Sequence, residues 1–193
     1  MTHNKLKRLV NSFVFRYLLG PLREELTKIH MEELQIRLAT TEDIEDIYSV
    51  HTEAIRQVYH EKYSQEQIEE WARRQGPDQY KQPINNCSIY IALLASKIVA
   101  FGHLEENSKD RMQYEVKALF VHPSYSRCGI GARLYRFLEN IAMSQGSKSM
   151  VVKSSFNGEA FYNANGFISG ETEAHLGCSS NCAIQCIRMV KNL

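Results

Sequence analysis

The 193-residue chain predicts a mixed α/β domain of the α+β kind, and three observations carry that expectation. Leu119 to Ala132 (LFVHPSYSRCGIGA) reads as a strand ending at Pro123, a short polar loop, and two glycines that open an amphipathic helix. Two strand-like runs, Ser88–Leu94 and Ile98–Glu106, flank Ala95-Ser96-Lys97 and read as a hairpin. Helical spacing at Ile44, Ile47, Val50, His51 and Ile55 marks the buried face of a helix that precedes both.

Taken in order, residues 1–30 stand apart as an N-terminal helical extension. Leu6, Leu9, Val10, Phe13, Val14, Tyr17 and Leu18 recur at helical spacing with Lys5, Lys7, Arg8 and Arg16 interleaved. Gly20-Pro21 stops that helix, and Leu22 to Ile29 suit a second short one. Asn11, Ser12 and Arg16 interrupt the apolar run, which argues against a secretory signal. The expected role is docking on the domain or on a partner subunit, as in a homodimer. Membrane-surface contact of residues 5–19 and organelle targeting are the alternatives composition leaves open.

The domain proper is expected over 35–191. Ile36–Ala39 is a short strand, and Thr40 or Thr41 caps the first helix. Ser64 with Gln67 forms a capping box opening a second helix through Ile68 and Trp71. After the hairpin come a strand over Gln113–Val121, the long helix Ile130–Gln145 and a strand over Ser149–Ser154. A short helix over Gly158–Asn165 comes next, and Phe167–Thr172 and Ala183–Val190 close the sheet. Bottom-up, this order implies only an α+β or mixed α/β layering.

Composition narrows the function. Charged residues are 23% and the formal net charge is +1, so no basic surface argues for nucleic acid. Five cysteines at irregular spacing point to a reduced, cytoplasmic setting rather than a disulfide framework. No run of 18 apolar residues exists to span a membrane. His175, Cys178, Cys182 and Cys186 do not match zinc-ligand spacing, so no metal is expected.

The chemistry concentrates at the glycines. Gly129 and Gly131 let the backbone approach a ligand. The first N–H groups of the helix they open lack internal partners and carry the positive end of its dipole. Such a junction suits a pyrophosphate. The dinucleotide fingerprint fails because Arg133 to Tyr135 supply no third glycine, and the P-loop's Gly-Lys-Ser/Thr ending is missing. With Val121-His122-Pro123 upstream and Phe161-Tyr162-x-x-x-Gly166-Phe167 downstream, the chain resembles the GNAT superfamily of acyl-CoA N-acyltransferases over roughly residues 35–191. The element order βααβββαβαββ matches that superfamily's mixed, mostly antiparallel sheet flanked by helices.

The resemblance implies a site and a reaction. Main-chain groups of Leu119 and Val121 would face the thioester and pantetheine arm, a backbone N–H at one of them polarising the carbonyl, with Phe120 between them counted among the cofactor-binding residues. Ser126, Arg127, Cys128, Gly129, Ile130, Gly131 and Ala132 would cradle the pyrophosphate, with Ser126 standing where the family has Gln or Arg. Asn157 would bond the cofactor arm or cap the helix after it. Tyr162 would protonate the departing thiolate, and Glu115 would deprotonate the amine, directly or through a water. Strand alternation places Glu115, Lys117, Leu119 and Val121 on one face. The implied function is N-acetyl transfer from acetyl-CoA, without a metal, to a primary amine by direct attack in a ternary complex. A small-molecule amine is the expected acceptor, with a protein amine as the other option. Residues 51–84, rich in Tyr59, Tyr63, Trp71, Tyr80, Glu61, Glu66, Glu69 and Glu70, would select it, and His51 and His103 are candidates to face it. A non-catalytic acyl-CoA-binding sensor or assembly subunit is the alternative.

Overall fold

The computed structural model describes residues 33–58, 61–108, 110–175 and 184–193. The expectations for residues 1–30, and for Cys178 and Cys182, lie outside them. Thr40 and Asp43 set the entry to the first helix. The Thr40 N–H and hydroxyl donate to Asp43 Oδ2 at 2.7 and 3.0 Å, and Arg37 grips the same carboxylate at 2.7 and 2.8 Å. Those bonds, Arg37 foremost, hold the Asp43 carboxyl below the usual carboxylate range. A 3₁₀ turn over Thr41–Asp43 then runs into α1 (Ile44–Arg56). The Ser64 capping box forms as its residues predict: the Gln67 N–H donates to Ser64 Oγ at 3.2 Å, and the Ser64 N–H to Gln67 Oε1 at 2.9 Å. It opens α2 (Gln65–Arg74).

Between α2 and the hairpin lie a 3₁₀ turn, Pro77–Tyr80, and a short helix, α3 (Lys81–Asn85). Neither is anticipated from the sequence, because Pro77 and Pro83 disguise the pattern as loop. The strands are β1 (Gln35–Leu38), β2 (Ile89–Leu94), β3 (Lys97–Asn107), β4 (Asp110–Val121), β5 (Ser149–Ser154), β6 (Ile168–His175) and β7 (Ile184–Asn192). Helices α4 (Ile130–Ser144) and α5 (Glu159–Ala164) complete the domain. Ala95 and Ser96 turn the β2–β3 hairpin with φ of 45° and 65°, the left-handed pair that a two-residue hairpin loop demands.

The strands form one sheet in the order β1-β2-β3-β4-β5-β7-β6. Every neighbouring pair is antiparallel except β4–β5. Helices cover both faces. On one, α1 and α3 bury Ile47, Val50 and Ile84 against Ile89, Ile91 and Phe101. On the other, Tyr135 and Leu138 of α4 pack on Leu104, Val116, Met150 and Val152. Gly102 allows the close approach of α4, since a Cβ there would sit 2.7 Å from Leu138 Cδ1.

Two irregularities in β4 open the sheet and turn its side chains. Its parallel pairing with β5 runs only from Gln113↔Ser149 to Val116↔Val152, so the strands separate beyond Val116. On its other side, His103 pairs with Ala118 and Leu104 with Val116, which leaves Lys117 as the extra residue of a bulge. The bulge corrects the expected alternation. Val116 and Leu119 both pack towards α4, whereas Ala118 packs towards α1. Glu115, opposite Glu105, therefore shares its face with His103, Ala118 and Phe120, and Leu119 and Val121 point to the other.

Candidate active site

The separation of β4 from β5 exposes backbone. The His122 N–H donates to Val99 O at 2.8 Å, so position 122 turns its main-chain groups towards β3. By alternation Phe120 does the same, and Leu119 and Val121 turn theirs towards the gap where β5 has left. The main-chain groups of Leu119 and Val121 thus face that gap rather than β3. Phe120 turns its main chain to β3, and its ring lies 4.2 Å from His51 and 5.7 Å from Phe101 between centroids.

The glycine loop lies at the end of the same strand. Pro123–Tyr125 make a 3₁₀ turn. Arg127 and Gly129 then take left-handed φ of 61° and 81°, and α4 begins at Ile130. The Arg133 N–H bonds to Gly129 O at 3.0 Å, and the N–H groups of Ile130, Gly131 and Ala132 precede it in the helix's first turn. A Cβ at Gly131 would lie 3.4 Å from Val121 Cγ2, a contact rather than a severe clash. Packing alone therefore does not dictate glycine there, which fits a position reserved for a phosphate. Ser126 and Arg127 are exposed and Cys128 is half-buried, its Sγ 3.5 Å from Ser126 O. Ile130 is 1% exposed and packs into the core, so only its N–H serves the loop.

A cleft of about 400 Å³ opens beside Leu119 and Phe120. Glu115, Leu119, Phe120 and Tyr162 all line it, and so do His51, Trp71, Gln75, Gln79, Tyr80 and His103. Tyr162 stands on α5, whose N-cap is Gly158 rather than Asn157; Asn157 precedes it in the turn, exposed. Rings of Phe161, Tyr162 and Phe167 pack edge-on at 5.2 and 5.3 Å. Burial pushes the Tyr162 phenol well above its ordinary pKa, so the hydroxyl stays protonated and able to donate.

Charges on the cleft wall are paired. Lys117 Nζ meets Glu115 Oε2 at 3.2 Å, and Lys153 Nζ meets Glu173 Oε1 at 2.9 Å. The Nε2 of His103 lies 2.8 Å from Glu105 Oε1. His51, 2.8 Å from the Tyr80 hydroxyl, is pushed down to about 3 by burial and is neutral at physiological pH. The segment expected to select the acceptor contributes less than its composition suggests. Glu69 pairs with Arg56 at 3.4 Å, and Glu70 with Arg73 and Arg74, so these acids do not face the cleft. Tyr63 is structural: it donates to Gln185 O at 2.7 Å and accepts from the Phe156 N–H at 3.1 Å. Trp71 and Tyr80 do reach the cleft. Cys186 is buried on β7 and lines it too, and among the described residues no cluster of His, Cys, Asp or Glu is arranged to hold a metal.

A mixed sheet that parts between two central strands, with a glycine-opened helix at the parting, defines an acyltransferase-like frame. The chain belongs to the GNAT acetyltransferase family: the family's model, described as acetyltransferase (GNAT) domain, matches residues 59–177. It is 22% identical over 137 residues to the uncharacterized N-acetyltransferase YafP of Escherichia coli, spanning 71% of this chain and 83% of that protein. The PaiA N-acetyltransferase of Thermoplasma acidophilum, solved in complex with coenzyme A, superposes with a TM-score of 0.66 at 25% identity over 83% of this chain and 99% of its own. A GCN5-related N-acetyltransferase structure from Rhodopseudomonas palustris shares the fold with a TM-score of 0.73, 24% identity and coverage of 82% and 95%.

Proposed function

We propose that the protein is an N-acetyltransferase that moves the acetyl group of acetyl-CoA to a primary amine by direct attack in a ternary complex. One observation carries the reading: Leu119 and the Tyr162 phenol ring line one cleft, and the strand that carries Leu119 and Val121 runs on into the glycine loop at the start of α4. The coenzyme A held by the PaiA structure supports the choice of donor. The donor would lie against Leu119 and Val121 like an added strand, its pyrophosphate at the N–H groups of Gly129 to Ala132 and beside Arg127.

Acyl transfer needs a polarised carbonyl, a neutral amine and a protonated leaving group. The Leu119 N–H supplies the first. Tyr162 gives its hydroxyl proton to the sulfur as the carbon–sulfur bond breaks. Glu115 draws off the amine's proton, at a distance. It stands three paired positions from Leu119, roughly 10 Å of strand, a span in which a water or a second side chain can relay the proton. The acceptor enters from the α1–α2 side, past Trp71, Gln75 and Gln79, and a small-molecule amine suits a cleft of this volume. A reduced, cytoplasmic setting suits the free thiols of Cys87, Cys128 and Cys186.

Thiol release from acetyl-CoA, screened across amines, polyamines, aminoglycosides and peptides, tests the reading. Release that depends on an amine is the expected result. A protein that binds coenzyme A yet transfers to none of them would be a non-catalytic binding module instead.

A further inference from the structure

We infer that His103, held by Glu105, is the group that takes the proton directly from the acceptor amine, with Glu115 next in line. The inference rests on the transferase reading and names a side chain that can relay the proton to Glu115.

Register places it. Gly102 pairs with Leu119, His103 with Ala118 and Glu105 with Glu115. His103 therefore lies on the cleft-facing side of the sheet and, along the strand direction, between Leu119 and Glu115, one paired position from the former and diagonal to the latter. It lines the same cleft as Tyr162.

Chemistry suits it as well. Glu105, two residues along the strand and on the same face, engages Nε2 at 2.8 Å. A carboxylate there makes Nε2 the donor and leaves the lone pair on Nδ1. Nδ1 has no hydrogen bond to any described residue. The side chain is 15% exposed. Burial, foremost, lowers its pKa from the ordinary 6.5, against Glu105, so the ring is a free base at neutral pH. The other charged groups acting on it are Lys117, which lowers its pKa, and Glu115, which raises it. The histidine across the cleft, His51, is neutral and already bonded to Tyr80.

The step balances without another reactant. As the amine nitrogen forms its bond to the acyl carbon, its proton passes to His103 Nδ1, and the imidazolium is stabilised by Glu105. The carbon–sulfur bond breaks, and the thiolate takes the Tyr162 proton. His103 then returns its proton by way of Glu115 and solvent, and Tyr162 is reprotonated from solvent. Lys117 Nζ, 3.2 Å from Glu115 Oε2, holds that side chain in place.

The test compares kcat/KM against pH for wild type, His103→Ala and Glu105→Gln, using the best amine from the thiol-release screen. His103→Ala is expected to lose about 10²–10⁴-fold, with coenzyme A affinity unchanged and partial recovery on adding imidazole. In wild type the rate falls as pH drops through the His103 pKa, below 6.5. Glu105→Gln removes a group that raises that pKa, so its acid limb moves to lower pH while its plateau falls. Should His103→Ala not fold, His103→Gln, which retains a donor for Glu105, carries the same comparison of rates. A folded His103 variant with wild-type kcat/KM, or an acid limb that Glu105→Gln leaves in place, overturns the assignment and spares the transferase reading. A wild type that binds coenzyme A and acetylates no amine overturns both.

Discussion

Gly129 and Gly131 illustrate two separate reasons for the same residue. Gly129 sits at φ 81°, where any side chain is strained, while Gly131 has room for a Cβ against its own fold. Gly129→Val is therefore expected to lower both stability and coenzyme A affinity. Gly131→Val should lower affinity more selectively, because its branched side chain would occupy the space of a phosphate. Ser126→Ala should change affinity little, since Ser126 is exposed and the loop's donors are backbone. Calorimetric titration of the folded variants decides this, and an unchanged affinity in Gly131→Val would remove the cradle. Tyr162 is the complementary case. Tyr162→Phe keeps the ring that packs on Phe161 and Phe167 and deletes only the donor. A loss of about 10²–10⁴-fold in kcat at constant acetyl-CoA affinity is the expected outcome of steady-state kinetics. A wild-type kcat where chemistry limits turnover would make Tyr162 a packing residue.

At the scale of elements, α1 holds a titratable group inside an apolar face. His51 packs between Tyr80, Phe101 and Phe120, and its pKa falls from 6.5 to about 3. The unfolded chain takes up this proton near 6.5 and the folded chain does not. The associated stability is complete above 6.5 and declines as pH falls from there towards 3, by up to about 1.4 kcal/mol per pH unit. Denaturant unfolding at several pH values should show that slope in wild type and a shallower one in His51→Phe, whatever that variant's absolute stability. Equal slopes would mean another group governs the acid limb. Periodicity exposed this helix in the sequence, as it did α4, whose apolar positions repeat without a proline. The Ser64–Gln67 box and the glycine loop were legible because each acts through its own few residues. The bulge at Lys117 was not, since it is set by pairing with β3 and has no local signature. It reversed the face assigned to Glu115 relative to Leu119. The His103–Glu105 pair was half legible: the spacing of two is written in the strand, but the partners across the sheet are not. Acids counted in α2 misled because composition does not reveal that Glu69 and Glu70 meet arginines.

For the molecule as a whole, the sheet's parting between β4 and β5 supplies the site. The proposed donor-side residues fall within 119–162, and the proposed acceptor wall reaches back from Glu115 through His103 to His51. Removing residues 1–30 is accordingly expected to leave coenzyme A affinity intact. The apolar stripe of that segment predicts a lower melting temperature or a changed mass in solution on truncation, and an unaltered value of both would make the segment a dispensable tail. Among the described residues no helix is long and apolar enough to cross a membrane. The central claim is direct transfer between two substrates held in one cleft, with Cys128 as a bystander of the loop. It is tested most directly by two-substrate initial-rate kinetics, paired with intact-mass analysis of the enzyme mixed with acetyl-CoA alone. Intersecting reciprocal plots and an unmodified protein mass are the expected result. Parallel plots, with one acetyl group added to the protein and discharged by amine, would contradict it.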